Sequence, residues 1–431
     1  MMTGKKISFV GPFLVSLAVT ALALLIGRKP VPLVDKDLKF VRKVVAEQEN
    51  AFPLLTKAAA VSYWPIMKHR ELSELSSGEK WDADLAEEVL AKNKESLALL
   101  ERAMACAELQ VPVQTDYNEP LQYLDEWRKL ARLASIQAGK LFRDGKEQEA
   151  LALALKIVHF GQRGENSGGS RTHYLTSLGI KQIGLRHVRQ IAWETTLPPD
   201  QLIACIAKLE MFRANALVLT NTLKCEYYLV AKHIEDFSSG KLSRANSRLE
   251  RMAESSSSKL VLDLNQSKNL MAQDIRVLLG SIPRHFGGMP LSEISGNSAR
   301  SEKPSMFFLI LSGNSMGKLM VWLEADSWTS VLTRKCQENS SVGATQLVLA
   351  LKCYHLKHAR LPDALGELVP EFLQAIPLDD FDGKPLRYSR DLRRIWSVGK
   401  DLIDSNGRTY KEVPKSDDIL FEIELKPTPT P

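Results

Sequence analysis

The stretch that decides the fold is Leu130–Gln162, LARLASIQAGKLFRDGKEQEALALALKIVHFGQ. Apolar residues recur at three- and four-residue spacing on both sides of Asp144-Gly145. That spacing places them on one helix face, and Asp-Gly is a turn dipeptide. The expected unit is therefore a helical hairpin: a helix over Leu121–Phe142, a tight turn, and an antiparallel partner running to about Arg163.

Working outward, helical patterning dominates the middle of the chain. Trp81–Leu109 reads as one amphipathic helix, with Leu85, Val89, Ala91, Leu97, Leu100, Met104 and Ala107 in its apolar stripe. Pro53 ends or bends an earlier helical stretch. Gly161–Ser170, GQRGENSGGS, reads as a flexible break, with helix resuming at Leu175. Leu197-Pro-Pro-Asp is a start signal, with Asp200 as cap of a long apolar-rich helix reaching Ile234. Residues 238–300 are rich in Ser, Gly and Asn and predict loops and shorter helices. The hairpin resembles a tetratricopeptide-type unit in outline, without a clean repeated consensus.

The end of the chain is patterned differently. From Gly343 a long helix is expected, with Leu347, Leu351, Tyr354 and Leu356 facing inward and a break at Leu361-Pro362. Asp363 is placed to cap a short second helix, with Glu367 in its first turn. Leu386–Arg390, Arg393–Gly399 and Ile419–Lys426 alternate as short strands. Ahead of them, PLDDFDGKPLRYSR (Pro377–Arg390) reads as a packed turn. Phe381 and Leu386 would anchor it, and Gly383 would relieve a tight backbone position.

At the start, Ile7–Gly27 carries no charged residue. At about 1.5 Å per residue it reaches roughly 30 Å, a bilayer core. Lys5 and Lys6 precede it, and Arg28 and Lys29 follow it. A cleaved signal peptide ending near Ala21-Leu22-Ala23 is the alternative. The fold expected is mainly α: an amino-terminal transmembrane helix (1–29), an irregular, repeat-like helical-hairpin middle (30–340), and a small α+β carboxy-terminal module (341–431). The location expected is the inner membrane, single-pass, with the bulk of the chain periplasmic.

Composition excludes some functions. The 431 residues carry 57 Lys plus Arg against 51 Asp plus Glu, a net charge of +6 spread along the chain. That is no nucleic-acid footprint. The five cysteines, Cys106, Cys205, Cys225, Cys336 and Cys353, form no CxxC pair. They read as small core residues, with a Cys205–Cys225 bridge left open. His159, His173, His187 and His233 lack metal-site spacing and read as surface or packing residues. There is no GxSxG, and Leu311–Lys318 lacks Walker A spacing.

LALKCYHLKHARLPDALGELVPEFLQAIPLDDFDGKPLRYSR (349–390) and WSVGKDLIDSNG (396–407) carry a resemblance. They are similar to the carboxy-terminal part of the major, G-type pseudopilins of type II secretion, over about residues 343–410. Over most of its length the chain looks more like anchored, uncharacterised planctomycete and verrucomicrobial proteins that carry this module after a helical region. The pseudopilin resemblance implies calcium in the loop Ser397–Gly407, with Asp401, Asp404 and Asn406 as oxygen ligands. A turn satisfied by its own hydrogen bonds is the other reading of that loop. The start, KKISFVGPFLVS, departs from pseudopilins in lacking their acidic residue.

The function expected is a noncatalytic, membrane-anchored envelope protein with a helical protein-interaction surface. Its partners would be membrane lipid, through residues 7–27, and an envelope protein. No nucleic acid or small-molecule substrate is expected. The alternatives are a component of a type II secretion or pseudopilus-like assembly, and an exported hydrolase using Asp379, Asp380 and Asp382. Catalytic carboxylate pairs need opposed placement across a substrate, which adjacent turn acids do not supply.

Overall fold

The structure, a computed structural model, describes residues 31–65, 68–239, 241, 262–294 and 314–424. It is mainly α-helical with one small sheet. The expected transmembrane architecture is corrected. Among the described residues no helix is long and apolar enough to cross a membrane. Residues 7–27, on which that expectation rested, lie outside the described residues. The anchored envelope role, the lipid contact and the inner-membrane location are therefore without support.

The chain divides into two compact units. The first comprises Met1–Lys39, Tyr227–Leu278 and Pro290–Thr329. Within it the spacer after Pro30 is strapped to the helix Leu264–Ser281: Arg276 forms two hydrogen bonds with Asp37, and Asn265 and Asn269 donate to the carbonyls of Val31 and Pro32. The second comprises Phe40–Glu226, Leu279–Met289 and Ser330–Pro431.

In the second unit the helices are α1 (Phe52–Ala60), α2 (His69–Ser77), α3 (Ala83–Lys92), α4 (Lys94–Ala105), α5 (Tyr123–Arg143), α6 (Glu147–Glu165), α7 (Arg171–Glu194) and α8 (Pro199–Glu210). Next come α9 (Ala216–Ser238), α10 (the Leu264–Ser281 helix) and α11 (Ser315–His358). Of α9, α10 and α11, only the residues up to Glu226, from Leu279 and from Ser330, respectively, belong here.

The hairpin forms as the pattern predicts. In α5, Asp125 and Glu126 occupy the first turn and Lys140 and Arg143 the last, complementing the helix dipole. Gly145, at φ +79°, makes the turn into α6.

Several boundaries differ, each for a local reason. The expected Trp81–Leu109 helix is two helices. Asn93 is fully buried, and its side chain donates to the carbonyls of Tyr63 and Val89 and accepts the Tyr63 N–H. It serves a neighbouring segment's backbone where the chain bends. The glycine-rich break is shorter than expected, because α6 continues through Gly161 and Gly164 to Glu165. A Cβ on Gly161 would lie 2.5 Å from the backbone nitrogen of Lys181, so this glycine provides close approach of α6 and α7 rather than flexibility. The helix after Pro198 stops at Glu210, and Asp200 lies in its first turn instead of capping it.

The module's long helix starts at Ser315, well before Gly343, and is 44 residues long. Leu347, Leu351 and Tyr354 are buried, but Leu356 is exposed. The short turn after it, Leu365–Leu368, is held by Glu367, whose carboxylate accepts the N–H groups of Asp363 and Ala364. Asp363 instead pairs with Arg390. The strands are β1 (Arg387–Ser389), β2 (Arg394–Ser397) and β3 (Ile419–Glu422), antiparallel in the order β1-β2-β3. Tyr388 pairs with Ile395, and Ile395 with Phe421. One apolar core joins residues of α6, α7 and α8 to Leu347, Leu351, Leu386, Ile395 and Phe421. The terminal segment and the hairpin thus share a hydrophobic interior.

Candidate functional site

The acids of Pro377–Arg390 are structural. Asp379 is fully buried. Its carboxylate accepts five hydrogen bonds: from Ser340 Oγ (3.2 Å), Phe381 N (3.1 Å), Ser397 Oγ (2.8 Å), Arg387 Nη1 (2.9 Å) and Val398 N (2.9 Å). It ties α11, the turn, β1 and the end of β2 to one point. Asp380 pairs with Lys335 at 2.9 Å and accepts from Asn339 at 2.8 Å. Asp382 holds the Arg387 guanidinium through both oxygens. Burial alone would raise its pKa, but the Arg387 hydrogen bonds hold it below the ordinary aspartate value. These three acids face partners of their own, so the hydrolase reading gains nothing from them. Phe381 and Leu386 are buried and Gly383 sits at φ +74°, as the turn requires.

In the loop where the resemblance implies calcium, Asp404 Oδ1 accepts from Trp396 Nε1 and from the Asn406 backbone, both at 2.9 Å. Its Oδ2 lies 3.6 Å from Arg387 Nε. Asp401 accepts the Ile403 N–H at 3.0 Å. Asp418 accepts the N–H groups of Ser405 and Gly407. Burial, with the charges of Asp404 and Asp401, raises the Asp418 pKa. Asp401 and Asp404 are thus already engaged by donors of the protein. Among the described residues no group of three or more His, Cys, Asp or Glu side chains is arranged to hold a metal ion.

His173 and His187 are packing groups. His173 accepts the Ser170 N–H at Nδ1 (3.0 Å), closing a capping box at the start of α7. Its Nε2 lies 2.5 Å from the Tyr123 hydroxyl. Burial, then the Arg42 charge, lowers its pKa to about 4. His187 Nε2 bonds the Ser76 carbonyl at 2.8 Å, and burial lowers its pKa to about 4 as well. All five cysteines are free, so Cys205 and Cys225 form no bridge.

Sequence reasoning missed the cluster at the centre of this unit. Lys181, completely buried on α7, donates to Glu165 Oε2 (2.8 Å), to the Phe212 carbonyl (3.1 Å) and to Glu338 Oε1. Tyr174 donates to Glu338 Oε2 at 3.1 Å. Two carboxylates thus meet one ammonium. Burial, then the nearby Glu338 charge, pushes the Glu165 pKa up to about 8. Only one oxygen of Glu165 is engaged, since its Oε1 has no hydrogen-bond partner. Burial opposes the Lys181 charge, yet Glu165 and Glu338 outweigh it and raise its pKa. The trace in the sequence is faint: a lysine among the mixed polar and apolar residues that α7 buries.

Beside this cluster a cleft of about 550 Å³ opens. Leu175, Leu178, Gly179 and Gln182 of α7 form one wall, and Arg334, Gln337, Glu338 and Ser341 of α11 the other. Arg128 of α5 and Ile419 and Phe421 of β3 complete it. Its walls are fixed by hydrogen bonds: Ser341 Oγ donates to Gln182 Oε1 at 2.7 Å, and Arg189 donates to Thr345 Oγ1 at 2.7 Å while lying 5.2 Å over the Phe421 ring. Arg128 and Arg334 are exposed. Arg128 bonds Asp125 and Thr176, both at 3.2 Å, and Arg334 bonds Gln337 at 2.7 Å. The acid lining the cleft, Glu338, is neutralised from behind by Lys181. The arrangement offers apolar surface under guanidinium groups, on rigid walls. Compared with protein-family models, with curated proteins and with solved structures, the chain finds no match in any of the three.

Proposed function

We propose that this protein is a binding protein whose cleft between α5, α7, α11 and β3 receives a partly apolar, anionic group. The observation that carries this reading is the combination in one cleft of Leu175, Leu178 and Phe421 with the exposed guanidinium groups of Arg128 and Arg334. Concave apolar surface with a few placed polar groups is the usual composition of a recognition site. Guanidinium groups match carboxylate and phosphate geometry. The buried Lys181–Glu338 pair supports the same reading, because it fixes the wall and withdraws the cleft's acid from competition. Kinship of residues 343–410 with the G-type pseudopilin module is proposed on the residues quoted above.

The test uses anilinonaphthalene sulfonate, an apolar anion that brightens when shielded from water. Its fluorescence should rise with the full chain and fall back in Gly179→Trp, which fills the cleft from a helix position where a Cβ meets nothing within 4 Å. The double variant Arg128→Glu/Arg334→Glu should weaken binding at least about tenfold, the loss of roughly one charged contact. Equal binding by all three proteins would overturn the assignment.

A further inference from the structure

We propose that the occupant of this cleft is an extended acidic peptide of a partner protein, which adds as a strand to β3. This rests on the cleft being an anion-recognition site, and it commits to the partner's backbone as well as its charge. β3 lies at the edge of the sheet and pairs with β2. Ile423 N donates to the Arg393 carbonyl at 2.8 Å, toward β2. In an antiparallel strand the backbone groups of successive residues point to opposite sides. Those of Leu420 and Glu422 therefore point away from β2. Their neighbours Ile419 and Phe421 send side chains into the cleft wall.

A strand edge that no other strand pairs among the described residues, beside an apolar cleft, is the geometry of peptide recognition by strand addition: main-chain hydrogen bonds give affinity and alternate side chains enter the cleft. Charge selects the peptide. The exposed ionic groups lining the cleft are Arg128 and Arg334, whereas Glu338 is buried against Lys181. An acidic peptide is attracted and a basic one repelled. A small anion would use the guanidinium groups and leave the backbone edge unused, so the edge separates the two readings.

The experiment measures fluorescence anisotropy of two short labelled peptides on the full chain, one alternating valine with glutamate and one alternating valine with lysine. The glutamate peptide should bind and the lysine peptide should not. Leu420→Pro removes an N–H that points away from β2, a change edge strands tolerate. It should weaken the glutamate peptide at least about tenfold, by loss of a backbone hydrogen bond and strand geometry, and leave anilinonaphthalene sulfonate unaffected. Arg128→Glu/Arg334→Glu should weaken both probes. Urea unfolding of each variant checks that it is folded, and Gly179→Trp gives an independent block on the helix side. If the sulfonate binds but the glutamate peptide does not, or binds Leu420→Pro equally well, strand addition is wrong and the anion cleft stands. If neither probe binds, both are wrong. Equal binding of the lysine peptide also overturns the proposal.

Discussion

The two buried ionic centres of the second unit solve opposite problems. At Asp379 one carboxylate meets five donors, among them the Arg387 guanidinium, so its charge is matched and its lone pairs are used. At Lys181 two carboxylates meet one ammonium, and Glu165 is left with an oxygen that has no partner. A buried charge costs several kcal/mol unless paired and hydrogen-bonded. The first centre therefore acts as a structural knot. The second carries an excess of acid, and burial together with the Glu338 charge raises the Glu165 pKa. One secures the fold of the terminal segment, and the other shapes the wall of the cleft.

The comparison is broken most directly at Asp379. Asp379→Ala leaves Arg387 to Asp382 but strands four further donors in a buried site, and should cost about 4 kcal/mol, the scale of a buried network broken from one side. Urea unfolding at neutral pH measures it, and a loss below about 1 kcal/mol would show that the knot is not tight.

Acid titration comes next. The folded-state pKa values of His173 and His187 are lowered to about 4. The unfolded chain has ordinary histidines near 6.5 and binds protons first as pH falls. The stability these groups contribute is present above about pH 6.5 and is lost between there and about pH 4, by up to about 3 kcal/mol each. His187→Gln should flatten that part of the urea-midpoint profile, and an unchanged profile would contradict the burial argument.

Glu165 should respond with the opposite sign to Asp379. Its folded pKa is raised to about 8, so the folded chain holds a proton that the unfolded chain releases above its ordinary value near 4.3, and stability falls as pH rises between the two. Glu165→Gln should therefore stabilise the protein at pH 7 and change its stability little near pH 4.5. A loss at both pH values would place Glu165 beside Asp379 as a satisfied partner. The smallest effect belongs to Gly383→Val. A branched side chain at φ +74° beside His285 should cost about 1–2 kcal/mol. Limited proteolysis should find the turn cut faster, and unchanged protection would remove the backbone argument.

Much of the fold was legible in the sequence because it is local. The α5–α6 hairpin follows from spacing and an Asp-Gly turn, and the strands from alternation. The turn at Phe381, Gly383 and Leu386 follows from residue type. Errors arose where a residue serves a distant partner. Asn93 breaks a helix to satisfy Tyr63, and Gly161 keeps a helix while admitting Lys181. The cleft was not legible, since Arg128, Gly179, Arg334 and Phe421 come from three helices and a strand far apart in sequence.

The sequence by itself determined the mainly helical class, the hairpin and the small terminal sheet, since periodicity and turn chemistry act between near neighbours. Only the tertiary structure decided that Asp379 is a knot, that Lys181 holds two acids, and that two arginines overlook an apolar cleft beside an edge strand. Those facts depend on which side chains meet after long loops close. The free energy of a buried charge is set by such partners rather than by its neighbours in the chain.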